Sequence, residues 1–339
     1  MKTFLLDCRL YSKNPTGISR FTVELIEYLN VKRNVNLVLL IYPWQKSYFP
    51  SHELVITRCS PFRILDVIKL SFTLCFHKID FLFSPFYSSV FLNYNFKKIC
   101  CVMDLTYKLL PQYFSKNRFI NYCKVKYLDF IVYFSLYNSS IIFSISKSTI
   151  IDLKNTFGFN SYLLYLGVNK LHSNLEISNK FNLTSNNYYL YVGNNRINKN
   201  LDFLISTHSK SNTDKKLVIA GSKVKVKKNI INITNPSDSE LNYLYKNCFC
   251  FVFPSTYEGF GLPVLEALHF NKPVLLSSSS SLTEFSYFNL NYFSPYISSE
   301  LLEYFNHEYL IQQPSNIHKL SKFSWNNMRL ILDKFLHRL

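Results

Sequence analysis

The chain has 339 residues and a mass of 40.0 kDa, long for one ordinary compact domain and suited to two lobes of roughly 150–170 residues each. Hydrophobic residues make up 48% and charged residues 17%, enough apolar material for two cores, which excludes a disordered or collagen-like chain. Lys and Arg exceed Asp and Glu by 17, and +12 of that excess falls in residues 1–170 against +5 in the remainder, so the first half is the part suited to an anionic partner, either a membrane surface or nucleic acid.

Short apolar runs alternate with longer segments of helical period along the chain, the pattern of βα units on parallel sheets. In the first half strands are expected at Phe4–Leu10, Val35–Tyr42, Ile79–Ser84, Lys98–Leu105, Ser140–Ser146 and Tyr162–Leu166. Helices fit Ile18–Val31, Arg63–Phe76, a broken segment over Pro111–Asn138, and Ser148–Phe157. The polar, Asn/Ser-rich stretch Lys170–Asn187 reads as an interdomain linker. The pattern then restarts with strands at Tyr188–Gly193, Lys216–Ala220, Ile230–Thr234, Cys248–Pro254 and Pro273–Ser277. Helices are expected at Asn200–Ser209, Ser237–Lys246 and Leu262–Phe270, with mostly helical chain from Ser299 onward. The lysine-rich run Lys223–Lys228 reads as the tip of a hairpin or loop.

Only seven glycines occur. Gly17, Gly167, Gly193, Gly221, Gly259 and Gly261 fall at expected strand exits or the loops after them, and Gly158 ends a helix. In open parallel sheets the strand exits form the ligand crevice, and glycine there lets a phosphate approach backbone amides and a helix N-terminus. The eight cysteines show no metal-ligand spacing and no CxxC pair, and no Asp-x-Asp occurs, so neither a metal site nor a disulfide framework is implied. Met1–Leu10 lacks the build of a signal peptide, and no stretch of ~18 uninterrupted apolar residues exists. The expected location is therefore cytoplasmic, with peripheral contact at the inner face of the plasma membrane.

The most specific stretch is Tyr257-Glu258-Gly259-Phe260-Gly261-Leu262-Pro263-Val264-Leu265-Glu266. It follows the apolar strand Phe249–Phe253 and opens a helix with Pro263 in the first turn. Glutamates near a helix N-terminus favour its dipole without any ligand, but that reading explains neither the Gly-Phe-Gly loop nor the strand feeding it.

This stretch resembles the motif of two glutamates separated by seven residues in retaining glycosyltransferases of family 4. Tyr191-Val192-Gly193 followed by Lys199-Asn200-Leu201, Leu217-Val218-Ile219-Ala220-Gly221, Lys272-Pro273-Val274, Ser281-Leu282-Thr283-Glu284 and Phe323-Ser324-Trp325 fit the same family. In the first half so do Thr16-Gly17-Ile18-Ser19-Arg20-Phe21, Ser144-Ile145-Ser146-Lys147-Ser148 and Leu166-Gly167-Val168-Asn169. The resemblance implies an α/β protein of the GT-B fold, with two Rossmann-like doubly wound lobes facing each other across a cleft. It places an acceptor-side lobe at 1–170, a linker at 171–187, a nucleotide-sugar-binding lobe at 188–322, and a C-terminal helix at 323–339 packing back towards the first lobe.

The resemblance also implies roles. Glu266 would bind the ribose hydroxyls of a nucleoside-diphosphate sugar, Glu258 would contact the transferred sugar, and Phe260, Gly261 and Leu262 would hold sugar hydroxyls or phosphate through their amides. Lys199 with Arg196 would neutralise the diphosphate, Gly193 would open the loop that carries them, and Gly17 would let the first lobe's loop close over the phosphates. Three positions depart from the family pattern. Met103-Asp104-Leu105 stands where a histidine usually precedes Asp-Leu, so Asp104 is left as the polar group there; Arg196 is displaced relative to Gly193; and Ser19 replaces a glycine.

The implied reaction is metal-independent, retaining hexosyl transfer with no cofactor, from a nucleoside-diphosphate sugar to a saccharide or polyprenyl-linked saccharide in O-antigen- or capsule-like surface polysaccharide synthesis. The leaving phosphate would serve as base. The basic first lobe would meet an anionic membrane. A nucleotide-sugar epimerase on the same fold and a catalytically silent relative, motivated by Met103, are the alternatives. Nucleic-acid binding has no motif to support it.

Overall fold

The computed structural model describes residues 1–13, 16–92, 95–168, 181, 183–224 and 229–336. They form two compact units, Met1–Tyr165 with Ile331–Leu339, and Leu166–Leu330. The expected linker 171–187 lies largely outside the described residues, as do Asn169 and residues 225–228 of the lysine-rich run.

The first unit is built on seven parallel strands, β1 (Lys2–Asp7), β2 (Val35–Ile41), β3 (Glu53–Ile56), β4 (Phe81–Ser84), β5 (Lys97–Val102), β6 (Ile141–Ser144) and β7 (Tyr162–Leu163), in the order β3-β2-β1-β4-β5-β6-β7. Five helices accompany them: α1 (Gly17–Asn30), α2 (Ile64–Cys75), α3 (Thr106–Leu109), α4 (Arg118–Tyr137) and α5 (Lys147–Phe157). The second unit carries β8 (Tyr188–Val192), β9 (Lys216–Ala220), β10 (Ile230–Ile233), β11 (Cys250–Phe253), β12 (Val274–Ser277) and β13 (Asn291–Phe293), all parallel, in the order β10-β9-β8-β11-β12-β13. Its helices are α6 (Leu201–Lys210), α7 (Asp238–Asn247), α8 (Leu262–His269) and α9 (Ser298–Asn306); α10 (Trp325–Leu336) runs from the second unit into the first. Both sheets thus reverse their strand order beside their first strand, at β1/β4 and at β8/β11, and loops leaving those strands bound the crevice where doubly wound sheets take ligands.

Strands covered on both faces read as continuous apolar runs rather than alternating ones. β8 does so with tyrosines, and each buried hydroxyl needs a partner. Tyr188 donates to the Leu244 carbonyl (2.8 Å), Tyr189 to Glu308 Oε1 (2.9 Å) and Tyr191 to the Asn194 carbonyl (2.9 Å). The helices start where side chains cap them. Thr16 Oγ1 accepts from the Ser19 amide (3.1 Å), Ser146 Oγ from the Thr149 amide (3.0 Å), and Ser237 with Glu240 closes a capping box on α7.

Three expectations need correction. The helix expected from Pro111 begins at Arg118, because Asn117 caps it by accepting from the Ile120 amide (3.1 Å). Strands β3 and β13 were not expected; they are four and three residues long, too short for a periodic signal. The C-terminal stretch is broken between α9 and α10 into two short 3-10 turns, Glu308–Leu310 and Ile317–Phe323, with Pro314 between them.

At the far end of α10, Asp333 accepts from the Tyr28 hydroxyl (2.6 Å) and pairs with Lys32 (2.5 Å), while the Phe335 ring lies against Tyr162 (centroids 4.4 Å apart) and Phe143 (5.2 Å).

A lysine is buried completely in the first sheet. Lys98 on β5 donates to the Val90 carbonyl (2.6 Å), and burial lowers its pKa from 10.5 to about 8. The unfolded chain therefore binds more protons than the folded one between about pH 8 and 10.5, so this group destabilises the fold fully below pH 8 and progressively less above it. Lys98→Met should accordingly gain roughly 2 kcal/mol over the wild type at pH 7. That advantage should shrink by a similar amount by pH 10, read from urea melts of both proteins; a pH-independent difference would show that Lys98 does not titrate in this window.

Candidate active site

The Gly193 loop and the Glu258 loop leave β8 and β11, which are neighbours at the point where the second sheet reverses its order. That adjacency brings residues 59 positions apart into contact. Lys199 Nζ lies 2.6 Å from Glu258 Oε1, with the two side chains 16% and 11% exposed. The same ammonium sits 5.2 Å from the centroid of the Phe253 ring, at the end of β11. A cation on an aromatic face beside a carboxylate is held in place by both contacts.

Asn198 ties the two loops together. Its Nδ2 donates to the Tyr257 carbonyl (3.0 Å), and its own carbonyl accepts from the Thr256 amide (2.8 Å). Asn198 Oδ1 and Ser255 Oγ are buried with no hydrogen-bond partner in the protein, a rare condition for such atoms. Glu258 itself is fixed through its backbone: its amide donates to Ser280 Oγ (2.8 Å), and its carbonyl accepts from Ser281 Oγ (2.8 Å) and Ser280 Oγ (3.1 Å). Ser277 and Ser279 hydroxyls donate to the Ser255 carbonyl (2.5 and 2.7 Å). Burial, and then the Glu258 charge, push the Tyr191 hydroxyl up, so it stays a neutral donor.

Gly261 is the N-cap of α8 with φ +116°, and Pro263 follows in the first turn. Phe260 is a core side chain: its ring packs on Phe285 (5.9 Å) and Phe323 (5.8 Å), and its carbonyl accepts from Ser281 Oγ (3.0 Å). The backbone amides that open α8, including those of Gly261 and Leu262, lie at the positive end of the helix. Glu266, in the second turn, is 3% exposed and accepts from the Tyr245 hydroxyl through Oε2 (2.8 Å). Arg196 is exposed and stands just before the 3-10 turn Ile197–Lys199, where its carbonyl accepts from the Lys199 amide (2.9 Å). The Gly193 amide donates to the Ala220 carbonyl (2.9 Å) and its carbonyl accepts from Ser222 Oγ (2.5 Å), which pins the loop at the exit of β8.

Two expected site residues belong to the first unit. Gly17 is the first residue of α1, at the loop following β1. Ser19, which stands where the family has glycine, accepts from the Ser12 amide (3.0 Å) and shares a hydrogen bond with the Thr16 hydroxyl (2.9 Å), so it braces this loop from within. Asp104 lies just beyond β5 and is half-buried; its Oδ1 accepts from the Thr106 amide (2.9 Å) and so starts α3. Met103 is buried.

The structure thus gathers Lys199, Glu258 and the start of α8 in one unit, with Gly193 at the exit of β8. Reading the sequence missed Asn198, Tyr245 and the serine run Ser277–Ser281. The five consecutive serines after a strand are a visible signal for a polar loop contact; nothing in the sequence points to Tyr245 as the partner of Glu266.

Two sheets of this order, each with its own helices, define the GT-B fold. Sucrose-phosphate synthase from Thermosynechococcus elongatus superposes with a TM-score of 0.77 at 12% identity, over 100% of this chain and 99% of that one. Anabaena HepE in complex with UDP gives 0.75 at 16% identity, over 100% of both chains. Residues 173–286 match the family described as glycosyl transferases group 1, so this part of the chain is similar to that family. The O-antigen chain mannosyltransferase B of Escherichia coli is 53% identical over 47 residues, 14% of this chain and 12% of that protein. The serotype-specific mannosyltransferase WbdA of Escherichia coli is 35% identical over 106 residues, 29% of this chain and 13% of that protein. These matches therefore span only about an eighth of the length of either curated relative.

Proposed function

We propose that the chain is a retaining, family 4 hexosyltransferase that takes its sugar from a nucleoside-diphosphate donor bound at the Lys199–Glu258 site. The observation that carries this reading is the 2.6 Å pair itself. A fixed ammonium at a strand exit, paired with the glutamate of the loop that leads into α8, is the arrangement that a leaving diphosphate needs, because charge develops there as the glycosidic bond breaks. Glu258 keeps that ammonium oriented and accepts from hydroxyls of the transferred sugar. Asn198 Oδ1 and Ser255 Oγ, unpartnered in the protein, supply further capacity for a polyhydroxyl ligand. Glu266, held by Tyr245, grips the ribose diol, and Arg196 swings onto the diphosphate. The charge is met by these side chains and amides without a metal ion. The bond breaks with ion-pair character and the acceptor hydroxyl attacks on the departing face, its proton passing to the leaving phosphate, which preserves the anomeric configuration.

The local identity to an O-antigen chain mannosyltransferase and to a serotype-specific mannosyltransferase supports mannose as the sugar and a lipid-linked or free saccharide as the acceptor, in surface polysaccharide assembly. A thermal-shift panel of GDP-, UDP-, dTDP- and ADP-sugars tests the reading. The true donor at 100 times its Kd should add ~2.7 kcal/mol of stability, and GDP-mannose should be the one that does so. If no nucleotide sugar shifts the transition, the donor-site reading fails. Interconversion of a donor sugar without acceptor would instead show an epimerase.

A further inference from the structure

Helices α2 and α4 lie side by side on the first sheet. Val67 of α2 shares one core cluster with Leu128, Ile131 and Val132 of α4, and the Ile64 amide donates to the Tyr127 hydroxyl (3.1 Å). Their inner faces account for this packing. Their outer faces are unlike the rest of the surface: nearly half of the exposed large hydrophobic side chains among the described residues lie on these two helices and the turn before α2.

The exposed residues follow the helical period, so each helix presents a stripe rather than scattered side chains. On α2, Leu65 (80% exposed), Lys69, Phe72 (53%) and Phe76 (89%), the last at its C-terminal end, recur at intervals of three and four. On α4, Phe119 (75%), Tyr122 (59%) and Tyr137 (63%) stand on one stripe with Lys126, whose ammonium lies 5.6 Å from the centroid of the Tyr122 ring. Arg118 is exposed in the first turn of the same helix. The acids of both helices are engaged inward: Asp66 accepts from the Ser60 amide (2.9 Å), and Asp129 accepts from the Tyr107 hydroxyl (3.1 Å) and pairs with Lys108. The outward face is therefore aromatic, aliphatic and cationic, with no exposed carboxylate on either helix.

The geometry points to this α2–α4 face as the surface that seats the protein on a bilayer of anionic phospholipid, with both helices lying in the plane of the interface. The aromatic rings and Leu65 enter the boundary between headgroups and acyl chains, where amphipathic rings are most favourable, and Lys69, Arg118 and Lys126 meet the lipid phosphates. A second copy of the chain fits less well, since a self-contact would set these cations against one another without an acid between them. No helix among the described residues is long and apolar enough to cross a membrane, so this seating is in-plane. The inference stands on the first unit alone and does not depend on the donor reading.

The test is cosedimentation of the whole chain with vesicles of phosphatidylcholine alone or mixed with phosphatidylglycerol. The wild type should bind the mixed vesicles at least tenfold more strongly than the neutral ones and release them at high salt. Phe76→Ser/Phe119→Ser and Lys69→Glu/Lys126→Glu should each weaken binding at least tenfold, while Tyr309→Ser, exposed on the second unit, should bind as the wild type does. All three keep the wild-type melting temperature and donor shift, because the substituted side chains are exposed and lie in neither core nor donor site. Absence of vesicle binding by the wild type, or unchanged binding by both double variants, overturns the proposal. So does a wild-type dimer in sedimentation velocity that the Phe76→Ser/Phe119→Ser variant dissolves, since the face would then be a self-interface.

Discussion

Lys199→Ala abolishes the thermal shift produced by the nucleotide-sugar donor and lowers the stability of the ligand-free protein. The two losses have different origins. The stability loss arises because Glu258, 11% exposed, is left charged beside a vanished partner; breaking a fully buried pair costs ~3–5 kcal/mol, and the residual exposure here brings the expectation to about 2 kcal/mol. The binding loss arises because the diphosphate charge has no ammonium to meet it. Lys199→Met/Glu258→Leu separates them. With both charges gone and apolar groups of similar volume in place beside Phe253, urea denaturation should return close to the wild-type midpoint, while the donor still produces no shift. A double variant that binds the donor as tightly as the wild type would remove Lys199 from the site.

Gly261→Ala should be costly in a way that composition alone does not indicate. At φ +116° an L-residue is strained, at ~1–3 kcal/mol, and a Cβ there would sit 2.9 Å from Leu282 Cδ2 and 3.0 Å from Phe285 Cε2. Both neighbours are fully buried and cannot withdraw without disturbing the core, which adds a comparable overpacking cost. We expect a loss of roughly 2–5 kcal/mol by urea denaturation, accompanied by weakened donor binding as the start of α8 shifts. Gly158→Ala is the matched comparison: its φ is +78° with nothing within 4 Å of the added Cβ, so only the backbone strain applies, about 1 kcal/mol. Equal effects at the two positions would mean that the Leu282–Phe285 wall yields freely.

Much of this molecule could be read before its structure. Continuous apolar runs such as Leu217–Ala220 announce strands covered on both faces, and caps such as Thr16, Ser146 and Ser237 mark helix starts. The Glu258–Glu266 stretch was recognisable because glycine in this chain is scarce and therefore positional. What escaped had little local signal. Strands β3 and β13 draw their pairing from neighbours rather than from their own three or four residues. At the first-unit positions Met103 and Ser19, which depart from the motif the sequence resembles, the structure shows local packing: Ser19 braces the loop before α1, while Met103 is simply buried.

Local propensity and hydrophobic period operate over a few residues, so element type, the order of βα units and the polar loops at strand exits were already settled along the chain. Which exits become neighbours is a property of the sheet. Setting β8 beside β11 brings Lys199 to Glu258 across 59 positions, folding α7 against α8 gives Glu266 its tyrosine, and one shared core cluster holds Val67 of α2 to Leu128, Ile131 and Val132 of α4. Side-chain charges and rings act through space at a few ångströms, and that distance is created only when the strands assemble.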